Sequence, residues 1–112
     1  MKRLLLIGFL ALVSTAAIAN GSASNVTITY ISTTTTSPGY AMLKFSSNLG
    51  GGPSCANGNP AYLAIDISTA VGETQLGIAE AAYMLGKTVT VTGLGTCALT
   101  GFETFGSLYI TD

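Results

Sequence analysis

The chain has 112 residues, of which only 8% are charged, and it contains neither histidine nor tryptophan. Without histidine there can be no Ser-His or Cys-His nucleophile pair and none of the usual zinc sites. Its few basic residues form no cluster able to displace counterions from a phosphate backbone, which excludes a nucleic-acid partner.

Residues 1–19 read as a signal peptide. Lys2 and Arg3 open it, Leu4 to Val13 is an apolar run, and Ala17-Ile18-Ala19 supplies the small-x-small pattern that a signal peptidase accepts, so cleavage is expected after Ala19. The apolar run is shorter than the roughly 20 residues needed to span a bilayer, and no stable membrane span is expected after cleavage. Residues 20–112 then form one domain in which Lys44 and Lys87 face Asp66, Glu73, Glu80, Glu103 and Asp112, a net charge of −3. Export matches the low charge and the abundance of Gly, Ser, Thr and Ala, and it places the protein in the periplasm or outside the cell.

In chain order, Val26, Ile28 and Tyr30 alternate with Thr27, Thr29 and Ile31, which predicts a first strand. Thr33 to Gly39 breaks it, Pro38-Gly39 being a turn pair. Tyr40 to Phe45 is a second strand with Ala41, Leu43 and Phe45 on one face. From Ser46 to Pro60 the chain is rich in Gly, Asn, Ser and Pro and reads as a loop pinned at Cys55. A loop of that length is unusual unless it is functional or covalently held. Ala61 to Ile67 is a third strand.

A helix is expected over Thr69 to Leu85, capped by Ser68 or Thr69 and ended by Gly86. Leu76, Ala79, Ala82, Tyr83 and Leu85 fall mainly on one face with Ile78 at its margin, opposite Glu73, Gln75 and Glu80. Thr88 to Thr92 alternates strictly. The last strand is expected over Leu108 to Thr111, with an extension from Phe102 through Phe105. The fold class is therefore mainly β with one helix, in the order β-β-β-α-β-β, as in a five-stranded Greek-key barrel of the oligonucleotide/oligosaccharide-binding (OB) type. Cys55 and Cys97 are the only cysteines, and in an oxidising compartment they are expected to form one disulfide.

The segment Gly77 to Gly86 (GIAEAAYMLG), followed by Lys87-Thr88-Val89-Thr90-Val91 and Gly93-Leu94-Gly95-Thr96-Cys97, resembles small exported bacterial proteins of the subtilase cytotoxin B-subunit type. Cys55, the strand from Tyr62 to Ser68, and Glu103 ahead of the last strand extend the likeness over most of residues 55–110. The resemblance implies an OB-like barrel, export, assembly into a homopentamer, recognition of cell-surface glycans, and an exported enzymatic subunit as partner. It supplies no motif for the first half of the chain, so no ligand-binding residue is carried over from it.

Read on its own residues, the chain offers Tyr30, Tyr40, Tyr62, Thr33, Thr34, Thr35, Thr36 and Asn48 as aromatic faces, hydroxyls and amides for a sugar. The competing reading makes these threonines solvent-facing strand and turn residues. A second class of function is a structural or interaction protein of the cell envelope that pairs through a strand edge or the alanine face of the helix. A third is a two-carboxylate hydrolase drawing on Asp66, Glu73, Glu80 and Glu103, although no spacing among them selects a pair. The expectation is a non-enzymatic module without catalytic residues, cofactor or metal. The glycosylation sequons at Asn20 and Asn25 carry no meaning in a bacterial protein.

Overall fold

The computed structural model describes residues 19–34 and 38–111. The expected leader up to residue 18, the hydroxyl candidates Thr35 and Thr36, and Asp112 lie outside the described residues. Five strands form the fold: β1 (Ser22–Thr33), β2 (Tyr40–Phe45), β3 (Tyr62–Asp66), β4 (Thr88–Gly93) and β5 (Glu103–Ile110). A single helix, α1 (Ala70–Leu85), joins β3 to β4, and a 3-10 turn covers Ser54–Ala56. The order β-β-β-α-β-β is the one expected from the sequence.

The strands close on themselves in the order β1-β2-β3-β5-β4. Neighbours are antiparallel except β3 and β5, which run parallel with Leu63 beside Glu103 and Ala64 beside Thr104. β1 reaches both sides of the seam: Ser22 to Thr27 pairs with β4, and Ile28 to Thr33 pairs with β2. To serve two partners the strand must bend. It does so at irregularities between Ala23 and Val26 and between Ile28 and Tyr30. Asn25 sits in the first of these with φ 53°, a conformation that asparagine tolerates better than most residues. β1 starts four residues earlier than the apolar alternation does, because Ser22 to Asn25 contributes backbone pairing and no apolar side chains.

Alternation on β2, β3 and β4 sends Leu43, Phe45, Leu63, Ile65, Val89 and Val91 into the barrel, where each is almost fully buried. Burying side chains of this kind stabilises the fold by about 1.5–3 kcal/mol each relative to leaving them exposed. α1 closes one end of the barrel. The Thr69 hydroxyl accepts from Gly72 N–H at 2.9 Å, Glu73 lies in the first turn, and Gly86 ends the helix in the left-handed region at φ 64°.

The face that α1 buries is narrower than its apolar pattern suggests. Gly72, Ala79 and Ala82 are buried and Leu76 is half-buried, whereas Tyr83 and Leu85, expected to face inward, are 45% and 70% exposed. Small residues bring the helix axis close to the barrel, so only a thin stripe can touch it. A Cβ on Gly72 would overlap the Asp66 carbonyl oxygen and stand 2.8 Å from its carbon, which shows how closely the helix start approaches the end of β3.

Cys55 and Cys97 are bonded, with their Cα atoms 6.2 Å apart. The bond ties the 3-10 turn to the segment between β4 and β5. Among the described residues no helix is long and apolar enough to cross a membrane.

Candidate functional site

Because β3 and β5 are parallel, their first residues, Tyr62 and Glu103, lie at the same end of the barrel. α1 follows the other end of β3. The end away from the helix is covered by the chain between β2 and β3, and under that cover is a cavity of about 250 Å³. It is lined by Leu49, Gly51, Gly52, Pro53, Ala56, Asn57, Asn59, Pro60, Tyr62 and Glu103. The segment read from sequence as an irregular loop thus forms a wall. Leu49 N–H donates to Pro60 O at 2.8 Å, Ser22 and Gly50 exchange both backbone hydrogen bonds, and the disulfide anchors the 3-10 turn.

Glu103 is the one buried charged or polar side chain among the described residues, at 2% exposure. It occupies the inward-facing position two residues before Phe105 on β5. Its Oε2 accepts from Gly21 N–H at 2.9 Å and from Gly95 N–H at 3.0 Å. Hydrogen bonds to an ionised acceptor are among the stronger ones, and here two main-chain donors compensate part of the cost of burying a carboxylate.

Glycines make room for it. A Cβ on Gly21 would overlap Oε1, one on Gly93 would overlap Oε2 and stand 2.8 Å from Cγ, and one on Gly52 would lie 3.3 Å from Oε1. Only main chain without side chains can pack this tightly around the carboxylate. Among the described residues no hydrogen bond reaches Oε1, the oxygen nearer to the Gly52 wall.

The remaining polar groups of the cavity are amides and a phenol. Asn59 Nδ2 donates to Gly101 O at 2.9 Å, which holds that side chain against the β4–β5 connection. Tyr62 is half-buried, with the Phe102 ring edge-on at 5.6 Å between centroids and Lys44 Nζ 5.7 Å from its own centroid. Asn57 is exposed at the mouth. Such a set offers a carboxylate acceptor, amides that both donate and accept, and an aromatic surface. It has one carboxylate, so the pair that a glycoside hydrolase needs does not converge here.

Of the residues put forward from sequence as sugar contacts, only Tyr62 lines this cavity. Tyr30 is exposed on β1. Thr33 and Tyr40 lie at the β1–β2 hairpin, where Thr34 Oγ1 accepts from Tyr40 N–H at 2.9 Å and so organises the turn. Asn48 is exposed beside Leu49 and is not part of the lining. Asp66 Oδ1 accepts from both the hydroxyl and the N–H of Ser68, and these bonds hold its carboxyl below the usual value. It shapes the entry to α1. Glu73 and Glu80 are exposed on the helix.

Sequence reasoning offers Glu103 only as one of four carboxylates for a hydrolase and as part of the family likeness, not as a sugar contact, and it misses Gly21, Gly52 and Asn59. The available signal was a carboxylate in phase with Phe105 on the inward face of a strand. A second cavity of about 160 Å³, between α1 and β5, is lined by Gln75, Ile78 and Phe105 to Leu108 and contains no titratable group. Comparison of the chain with protein-family models, with characterised proteins and with solved structures finds no match.

Proposed function

We propose that the protein is an exported, non-enzymatic binding module whose cavity at Glu103 takes one small polyhydroxylated group, a single sugar ring of a glycan. The observation that supports this most is the buried carboxylate lining the cavity, with Oε1 beside the Gly52 wall, together with the Asn57 and Asn59 amides and the Tyr62 ring. A carboxylate oxygen accepts short hydrogen bonds from hydroxyls, and amides and an aromatic surface supply the rest of what a sugar needs. The volume lies below the roughly 300–1,000 Å³ typical of drug-sized sites, which suits one ring.

Charge narrows the class. Glu103 is the only formal charge lining the cavity, so a carboxylated sugar would meet repulsion at low dielectric. Neutral and amino sugars are the ligands proposed. The disulfide suits an oxidising, exported compartment, and the resemblance to toxin B subunits supports a glycan-binding role with a homopentamer and an exported enzymatic subunit as its assemblies.

NMR titration with a panel of neutral, amino and acidic monosaccharides tests the reading. Neutral or amino sugars should shift the amides of Gly21, Gly95 and Asn59, and Glu103→Gln should weaken that binding at least tenfold. If no sugar moves these resonances at millimolar concentration, or if acidic sugars bind best, the reading is wrong.

A second reading, an envelope interaction protein, is favoured by the apolar residues that α1 leaves in solvent, namely Val71, Ile78, Met84 and Leu85. The solution mass distinguishes it. A monomer whose mass does not change with concentration would remove both the ring and self-association.

A further inference from the structure

Among the described residues the cavity carboxylate has no cation among its hydrogen-bond partners. Lys44 is placed over Tyr62 and Lys87 follows α1 at the far end of the barrel, so among the described residues only two backbone N–H groups hydrogen-bond Glu103. An ionised carboxylate this deeply buried is stabilised far more by a cation than by neutral donors alone.

One of its two main-chain donors, Gly21, lies just ahead of β1. Gly21 N is 2.9 Å from Oε2, and successive backbone nitrogens are no more than about 3.7 Å apart. The nitrogen of Asn20 therefore lies within about 6.6 Å of the carboxylate. The Asn20 carbonyl oxygen is 3.5 Å from where a Cβ on Gly51 would stand, and Gly51 is part of the cavity wall. Asn20 is exposed and Gly21 buried, so the chain passes from solvent, beside the Gly51 wall, to the Glu103 carboxylate.

We propose that cleavage after Ala19 creates the missing cation: the new α-ammonium of Asn20 donates to Glu103 Oε1 and anchors the processed N terminus at the mouth of the cavity. Before cleavage the Asn20 nitrogen is an uncharged amide with one hydrogen, bonded to Ala19. Hydrolysis adds water across the Ala19–Asn20 bond. The leader leaves as a carboxylate, and the freed amine takes a proton from solvent to give three donors on a group that can rotate. Oε1 has two lone pairs, so the ammonium and a sugar hydroxyl can both bond to it, and this assignment does not depend on whether the cavity takes a sugar. The titratable groups on the elements around the cavity are Glu103 and Tyr62, with Lys44 over the Tyr62 ring.

The test uses the full chain exported and processed by a bacterial host, with its N terminus read by intact mass, and no ligand present. The pKa of the Asn20 amine, followed by NMR, should lie at least one unit above the ordinary α-amino range of about 7.7–8.0, a tenfold tighter hold on the proton. Because the folded-state pKa is raised, the added stability is present in full below the ordinary value and is lost as pH rises through the raised one. The melting temperature should fall across that window.

Glu103→Gln should return the amine to its ordinary range and remove the pH-dependent fall. Should that variant not fold, a chain retaining Ala19, or one acetylated at its α-amine, serves the same purpose and should lack the fall. Repeating the titration in Tyr62→Phe separates the phenol from the amine. An ordinary amine pKa in the processed protein, a raised pKa that Glu103→Gln leaves in place, or an N terminus at another residue would overturn the proposal.

Discussion

Gly93→Ala is expected to be among the most damaging single-methyl additions to this domain, for reasons that concern Glu103 and not the strand. A Cβ at position 93 would overlap Oε2 and come within 2.8 Å of Cγ of Glu103. Gly93 cannot retreat, because its N–H donates to Gly21 O at 2.8 Å and fixes β4 against the start of the domain. The carboxylate must therefore move, which breaks its bonds to Gly21 and Gly95.

Overpacking of a core site costs about 1–3 kcal/mol, and each hydrogen bond to a charged group contributes about 1.5–3 kcal/mol. Water entering the cavity can replace part of the lost bonding, so a total of about 2–4 kcal/mol is expected. For a domain of this size that lowers Tm by at least about 8 °C. Thermal and urea unfolding of Gly93→Ala, Glu103→Ala and the double variant give the decisive quantity. In the double variant the methyl occupies space that the side chain has left, so the two changes should be less than additive by about 1 kcal/mol or more. A Gly93→Ala protein within about 0.5 kcal/mol of the parent, or strict additivity in the cycle, would refute the picture of a carboxylate caged by main chain.

Gly72→Ala should destabilise by about 3 kcal/mol or more, since its methyl meets the Asp66 carbonyl and not a side chain that could rotate away; circular dichroism on melting reads it, and a near-native Tm would contradict the close approach of α1 to β3. Replacing Cys55 and Cys97 together by Ser frees a loop with a sequence separation of 42, which the chain-entropy relation values at about 4 kcal/mol. The same change should weaken any ligand of the cavity, because the 3-10 turn carries part of its wall; a double variant of unchanged stability and binding would show that the bond is ornamental. Asp66 should titrate below the ordinary aspartate value of about 3.9, and Ser68→Ala should raise it, since the Ser68 hydroxyl is the main cause of the lowering. With a depressed folded-state pKa, the associated stability is present above the ordinary value and lost as pH falls through the lowered one, which an NMR pH titration alongside acid unfolding can follow.

What was legible in the sequence was whatever repeats with a period. β2, β3 and β4 lie within a residue or so of their alternating patterns, and α1 begins and ends at its cap residues, Thr69 and Gly86. The disulfide followed from there being two cysteines and one way to pair them. β5 runs through the front extension expected from Phe102 to Phe105 and ends one residue before Thr111. The early part of β1 was invisible because Ser22 to Asn25 pairs by main chain alone.

The site failed to show for the same physical reason. Its specificity rests on the absence of side chains, at Gly21, Gly52 and Gly93, around one carboxylate, and glycine in sequence signals a turn as readily as a close approach. The residues chosen as sugar contacts were instead chosen for chemistry without position, and the barrel distributes them over both of its ends. A carboxylate in phase with the apolar face of a strand is costly unless something compensates it. In a chain with so few charges, that cost alone marks Glu103, before any ligand is known, as the residue around which the far end of the barrel is built.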